Sequence, residues 1–158
     1  MSFHRNNHVL QFAAMLPVVL WWGGLTFYTA IVVPVGTKTL SATEQGFVTR
    51  SVSHWLNGLL AIVLVVLAWR FGSSRTPRRI FTWLLLLSTL GGLAICHAQL
   101  DRMLDPSTFS VSDPGRFYQI HRVYLCLTTV QWLAGVHCLW CLMFATVARS
   151  TKSTAENQ

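Results

Sequence analysis

Charge is what this sequence lacks most. Only 11% of its 158 residues are Asp, Glu, Lys or Arg, whereas a soluble globular domain carries about 25%. Acidic residues are scarcest, with five in the whole chain, and four long stretches hold no charged residue at all: 6–37, 51–69, 80–100 and 123–148. A water-facing surface cannot be built from such stretches. The composition therefore excludes an ordinary soluble enzyme or binding domain.

Long apolar stretches take the place of the missing charge. A helix needs about 20 mostly apolar residues to cross the hydrocarbon core of a bilayer, and its backbone polar groups must be bonded within the segment. Each stretch reaches or approaches that length. We predict an all-α fold, a four-helix transmembrane bundle that forms one domain over 1–158, with spans at roughly 9–33, 52–71, 80–100 and 120–147.

The second and fourth helices are predicted to extend beyond the membrane on its outer side. The segment SATE, residues 41 to 44, fits the capping-box pattern, with Ser41 as the cap and Glu44 three residues later. Asp113 is a candidate N-cap, and Pro114 follows at the first helical position. Between them, the two signals start helices well before the second and fourth apolar stretches begin.

The basic residues are distributed unevenly between the two ends of the predicted bundle. The rule that Lys and Arg collect on the cytoplasmic side favours both termini inside the cell. The excess of 7 positive charges then reflects topology rather than a nucleic-acid partner, and the expected partners are the lipid bilayer and a membrane protein or a second copy of the chain. The predicted cytoplasmic end carries seven basic residues: Arg5, Arg70, Arg75, Arg78, Arg79, Arg149 and Lys152.

Small and aromatic residues in the spans predict how the helices pack. Gly23–Gly24 in the first span and Gly91–Gly92 in the third would let a neighbouring backbone come close. Seven tryptophans occur in the chain, several of them near span ends, where Trp anchors helices at the membrane–water interface.

Three histidines from separate spans fall at a similar predicted depth near the outer boundary. They are His54 at the start of the second span, His97 near the end of the third and His121 at the start of the fourth. Ionisable groups within spans are expensive in lipid, so they tend to face the bundle interior or a cavity. This layer is the main functional signal in the sequence.

A polar stripe on the fourth helix supports an inward-facing site. At 100° per residue, His121, Tyr124, Thr128, Gln131 and Gly135 fall within an arc of about 80°. Tyr124, Thr128 and Gln131 are therefore predicted to line a cavity below the histidines.

Asp101 lies one helical turn after His97, where a carboxylate meets the negative end of the helix dipole. Such a position calls for a compensating partner. The pair is then a salt bridge, a metal-ligand set, or a histidine that its carboxylate orients toward another ligand. Candidate charge partners are Arg50 and Arg122, with Arg102, protonated His97 or a bound cation as further options.

These residues leave three functions open. Imidazole suits copper, zinc, iron and nickel, so His54, His97, His121 and Asp101 could bind a copper-like transition metal. Two of the same histidines could instead hold haem b for electron transfer. The polar layer could also only fasten the helices of a structural or accessory subunit. We find no activated Ser or Cys and no carboxylate pair placed for catalysis, so enzymatic turnover is not predicted.

His137 is set apart from this layer. It lies in the segment HCLWC, residues 137 to 141, and helical projection points it about 160° away from His121. Covalent haem attachment needs the histidine after the two cysteines, so Cys138 and Cys141 are predicted to pack as small apolar residues.

Short segments resemble a known family. The segments WWGGLTFYTAIVVP, QIHRVYL and TVQWLAG resemble a family of small bacterial four-helix membrane proteins of unassigned activity and, more distantly, the membrane domain of copper-resistance D-type (CopD-like) proteins. The CopD-like resemblance implies copper handling in the bacterial cytoplasmic membrane, with only His121, in the IHR segment, carried over. The chain departs from that pattern in having four spans and no methionine-rich segment.

Overall fold

The computed structural model describes residues 2–71, 76–105 and 110–155. The chain is 91% helical, in agreement with the predicted all-α class. The elements are α1 (Ser2–Phe27), a π-helical segment (Tyr28–Val32), α2 (Val33–Thr39), α3 (Ala42–Phe71), α4 (Pro77–Asp101), β1 (Leu104–Asp105), β2 (Ser110–Val111) and α5 (Pro114–Ala155).

Four helical rods in the described ranges are long and apolar enough to cross a membrane: Phe12–Thr39, Glu44–Arg70, Pro77–Asp101 and Pro114–Met143. They match the four predicted spans in number and order. Because successive rods run in opposite directions, one end of the bundle holds both chain termini and the α3–α4 connection, and the other holds the β1–β2 hairpin. We call these the terminus end and the hairpin end.

The two predicted helix starts are confirmed. The Ser41 amide donates to Glu44 Oε2 over 2.9 Å, and the Glu44 amide donates to Ser41 Oγ over 3.3 Å, which is a reciprocal capping box. The Arg116 amide donates to Asp113 Oδ1 over 3.1 Å, so Asp113 caps α5. Both α3 and α5 therefore begin well before the apolar spans, as predicted.

The first rod and the hairpin differ from the prediction. The first rod continues to Thr39 through a π-helical segment, in which the Val33 amide donates to the Tyr28 carbonyl five residues back. Pro34 has no N–H to give the Ala30 carbonyl, which explains why the α-helical ladder is interrupted there. The connection between α4 and α5 contains a short antiparallel ladder, with Leu104 opposite Val111, which was not predicted.

The apolar core lies toward the terminus end. In the bundle, α1 packs against α3 and α5, and α4 packs against the same two helices. The α3 part of the core spans residues 60–67, near the end of that helix, and the α5 part spans 134–142. Buried or half-buried polar side chains of α3, by contrast, begin at Gln45 near the hairpin end. The polar side chains of α3 therefore begin near the hairpin end, while the packed apolar core lies toward the terminus end.

Two tryptophans and several glycines lie at contacts between helices. Trp132 Nε1 donates to Thr26 Oγ1 over 2.8 Å and Trp22 Nε1 donates to the Trp132 carbonyl over 3.2 Å, so both rings join α1 to α5. Of the predicted glycines, Gly92 makes a close contact, since a Cβ there would lie 3.0 Å from Leu127 Cδ1, whereas Gly23 and Gly91 face open space. A further close contact, not predicted, is at Gly135, where a Cβ would lie 2.6 Å from Trp22 Cδ1.

Large apolar side chains cover the outside of the bundle. Val65 is 70% exposed, Ile62 56% and Leu133 56%, and they lie in the stretches 51–69 and 123–148, which hold no charged residue. Exposed apolar surface of this extent is unfavourable in water and marks a membrane or protein contact.

Candidate functional site

An ion pair links two helices at the hairpin end. Arg50 Nε of α3 lies 2.7 Å from Asp101 Oδ1 in the last residue of α4, and the side chains are 38% and 28% exposed. The guanidinium neutralises a carboxylate that faces the negative end of the α4 dipole. Of the two predicted charge partners, Arg50 is the one that contacts Asp101.

His97 lies on the other side of the same carboxylate. Its Nε2 is 3.6 Å from Asp101 Oδ2, and the His97 side chain is 18% exposed. This separation exceeds the usual hydrogen-bond length of about 2.7–3.2 Å. At this distance the carboxylate makes no hydrogen bond to the ring, and it attracts the ring by charge only when the imidazole is protonated.

His54 of α3 faces His97 across the α3–α4 interface. The two ring centroids are 6.3 Å apart, with an interplanar angle of 41°. His54 is exposed while His97 is half-buried. Two imidazoles from different helices are thus brought together at a surface that a solute can reach. We call Arg50, His54, His97 and Asp101 the hairpin-end cluster.

The other predicted site residues lie in different contacts. The His121 ring stacks on Phe117 of its own helix, with centroids 6.2 Å apart and planes 5° from parallel. The Arg122 guanidinium lies 5.1 Å from the centre of the Tyr118 ring. Among the side chains that the structure describes, at 12–41, 44–70, 76–105 and 110–143, no three of His, Cys, Asp or Glu converge in a way that could hold a metal ion. The described geometry offers a histidine pair, not a three-histidine set.

A hydrogen-bonded layer lies beneath the cluster, around Tyr124. The side chains of Ser53 and Asn57 hydrogen-bond with the Tyr124 hydroxyl, which joins α3 to α5. The Tyr28 hydroxyl donates to Thr49 Oγ1 over 2.8 Å and so joins the π-helical segment to α3. π-helical turns are frequent at functional sites, and here the turn places a tyrosine in the polar layer.

The α3 side of this layer was missed from sequence, although a signal is present. Gln45, Thr49, Ser53 and Asn57 follow one another at intervals of four residues, so they share one face of a helix. The Gln45 amide donates to Thr49 Oγ1 over 3.4 Å. Ser53 and Asn57 of this stripe face Tyr124 of α5, whereas Thr49 contacts Tyr28 of the π-helical segment.

The lower part of the α5 stripe lies in the interior, as its spacing indicated. Thr128 Oγ1 donates to the Tyr124 carbonyl over 2.9 Å, so its hydroxyl is satisfied within α5. Gln131 is 2% exposed, and its Nε2 has no protein hydrogen-bond partner among the described residues. A buried, unsatisfied donor costs about 1–3 kcal/mol.

His137 lies in the terminus half of the bundle, away from the hairpin-end cluster. Its Nδ1 is 2.7 Å from Thr82 Oγ1 of α4, and Cys141 Sγ lies 3.8 Å from its Nε2. Cys138 is buried in the apolar core. The hydrogen bond between His137 and Thr82 joins α5 to α4.

The hairpin-end cluster is equipped for ligand binding more than for catalysis. Arg50 occupies the charge of Asp101, and the carboxylate lies beside His97 without a hydrogen bond to its ring. The groups that remain available to bind a ligand are the imidazole rings of His54 and His97, on adjacent helices.

The fold and the cluster define a multi-helix apolar protein with a polar, histidine-bearing end. No protein-family model, curated protein or solved structure matches the chain. The CopD-like resemblance therefore stays a prediction that rests on the three quoted segments.

Proposed function

We propose that the chain is a multi-pass protein of the bacterial cytoplasmic membrane, with both termini in the cytoplasm. The support is the exposed apolar surface of the four rods and the seven basic residues that the sequence predicts on the cytoplasmic side. In this orientation the hairpin end faces outward, and the hairpin-end cluster is open to the extracytoplasmic solution.

We further propose that His54 and His97 bind a copper-like transition-metal ion at that surface. A metal bound to an imidazole nitrogen at about 2.0–2.1 Å lies roughly 3 Å from the ring centre. Two rings with centroids 6.3 Å apart are therefore within reach of a single ion. This separation is the observation that carries the proposal.

The neighbouring residues have distinct parts in this proposal. Arg50 neutralises the Asp101 carboxylate that lies beside the His97 ring, so the ion meets imidazole nitrogen and not a second fixed negative charge. Two protein ligands make an open site from which a metal exchanges readily, unlike the closed four-ligand sites that hold structural zinc. Binding and transfer of an ion fit this arrangement better than permanent storage does.

The test is metal binding by the purified full chain in detergent. We expect about one Cu ion per chain by equilibrium dialysis with elemental analysis, and loss of that ion in both H54A and H97A. H137A is the matched control, because that histidine lies in the terminus half, and it should bind as the unsubstituted chain does.

The H121A variant distinguishes a site of two histidines from a site of three. Since His121 stacks on Phe117, we expect H121A to keep its metal; loss would replace the histidine pair with the three-histidine set. Equal metal content in H54A, H97A and H137A contradicts the proposal altogether. A Soret band in the purified chain, lost in H97A, would assign haem b to the same rings instead.

A structural role is the second candidate, and the Arg50–Asp101 ion pair favours it. A contact of 2.7 Å between α3 and α4 fastens the hairpin end whether or not an ion is bound. Under this alternative, H97A lowers thermal stability without changing metal content.

A further inference from the structure

A groove runs between α4 and α5 in the terminus half of the bundle. Its volume is about 590 Å³, within the range of about 300–1,000 Å³ typical of ligand pockets. Phe81 and Leu85 form one wall, and Val130 and Leu133 the other. Phe81 is 65% exposed and Leu133 56%, so the groove opens sideways from the bundle.

A basic residue lies at the mouth of this groove. Arg78 lines it from the first turn of α4 and is exposed. The surrounding segment, RFGSSRTPRR at 70–79, has four arginines and no acidic residue. The nearest acidic residues along the chain are Glu44 and Asp101, both toward the hairpin end. A negatively charged group is therefore attracted to the mouth.

The depth of the groove matches one leaflet of a bilayer. From Pro77 to Leu85 the helix rises about 12 Å at 1.5 Å per residue, and half of a hydrocarbon core of ~30 Å is about 15 Å. Thr82 and His137, hydrogen-bonded over 2.7 Å, add a polar spot in the wall one turn deeper than Arg78. Apolar walls, an open side and a basic mouth are the features of a lipid site.

We propose that this groove binds an anionic phospholipid, with an acyl chain between Phe81 and Leu133 and the phosphate at Arg78. Basic pockets between transmembrane helices on the cytoplasmic side bind lipid headgroups in this way, and guanidinium pairs well with phosphate. The proposal rests on the membrane orientation proposed above and is independent of the metal site.

The test is native mass spectrometry of the full chain extracted from vesicles of mixed phosphatidylglycerol and phosphatidylcholine. We expect one phosphatidylglycerol retained per chain. R78Q should lower that retention roughly fivefold, the factor that one basic residue contributes near an anionic surface. R116Q is the matched control, because it removes the same charge from an exposed position near the start of α5, at the hairpin end.

Two further arms identify the ligand. L133W fills the groove and should lower retention of phosphatidylglycerol without any change in charge. Excess inorganic phosphate should not displace the lipid, because phosphate has no acyl chain. Equal retention in R78Q and R116Q, full retention in L133W, or displacement by phosphate would each overturn the proposal. The metal content of H97A, whether lost or unchanged, has no bearing on the lipid proposal.

Discussion

At the scale of single residues, Asp101 explains how the hairpin-end cluster is built. A carboxylate at the end of a helix is opposed by the helix dipole, and its burial calls for a positive partner. Arg50 supplies that charge from α3 at 2.7 Å, and His97 lies on the carboxylate's other oxygen at 3.6 Å. The charge of Asp101 is thus shared between Arg50 and, when its imidazole is protonated, His97.

This sharing leads to a prediction for the ion pair. Because Arg50 is 38% exposed, solvent screening limits the pair to about 1 kcal/mol or less. We expect R50M and D101N each to lower the midpoint of thermal unfolding in detergent by about 2–4 °C. The double variant should be no less stable than the worse single variant. R122M, which removes an arginine placed over Tyr118, is the control, and additive losses in the double variant would contradict the coupling.

The residues of the site were only partly predictable from sequence. The spacing of His97 and Asp101 follows from helix geometry, which is local. Whether Arg50 or Arg122 pairs with Asp101 depends on how α3 and α5 are rotated about their axes, which no local pattern fixes. The same holds for Ser53 and Asn57 with Tyr124, since each contact joins side chains from different helices.

At the scale of elements, the helix starts are the most predictable features and the helix contacts the least. Capping boxes and N-terminal proline act within one turn, so α3 and α5 begin where the sequence indicates. The π-helical segment was not predicted, although Pro34 in the sequence gives its physical reason. The predicted glycine contact on α4 is present at Gly92, where a Cβ would lie 3.0 Å from Leu127 Cδ1. The contact at Gly135 was not predicted, because that residue appeared only as part of a polar stripe.

Gly135 gives a prediction about packing. A Cβ there would lie 2.6 Å from Trp22 Cδ1 and 3.0 Å from Trp21 Cζ3. We expect G135A to destabilise the α1–α5 contact by about 1–3 kcal/mol, the usual cost of overpacking, measured as a lower unfolding midpoint. G91A is the control: with nothing within 4 Å of its Cβ, it should be neutral or slightly stabilising. An unchanged midpoint in G135A would show that α1 and α5 are farther apart than described.

At the scale of the whole molecule, apolar and polar side chains of the interior lie in different halves of the bundle. The apolar core occupies the terminus half, while the Tyr124 layer and the hairpin-end cluster occupy the other half. The four apolar rods could be predicted from the length of the charge-free stretches, because the hydrophobicity of a segment does not depend on the rest of the fold. The proposed function needs the cluster to face outward, which depends on the whole chain's orientation.

That orientation is tested by labelling two positions with a membrane-impermeant maleimide. Ser112 and Thr76 are exposed and lie at the hairpin end and the terminus end, respectively. In a background without the four native cysteines, we expect S112C to react in intact cells and T76C to react only after permeabilisation. The reverse pattern would place the cluster in the cytoplasm.

X-ray absorption of the copper-loaded full chain tests the proposed site most directly. We expect two imidazole ligands, with Cu–N distances near ~2.0 Å, and loss of that signature in H97A but not in H137A. A spectrum with three imidazoles, with porphyrin nitrogens, or unchanged in H97A would contradict binding by the His54–His97 pair.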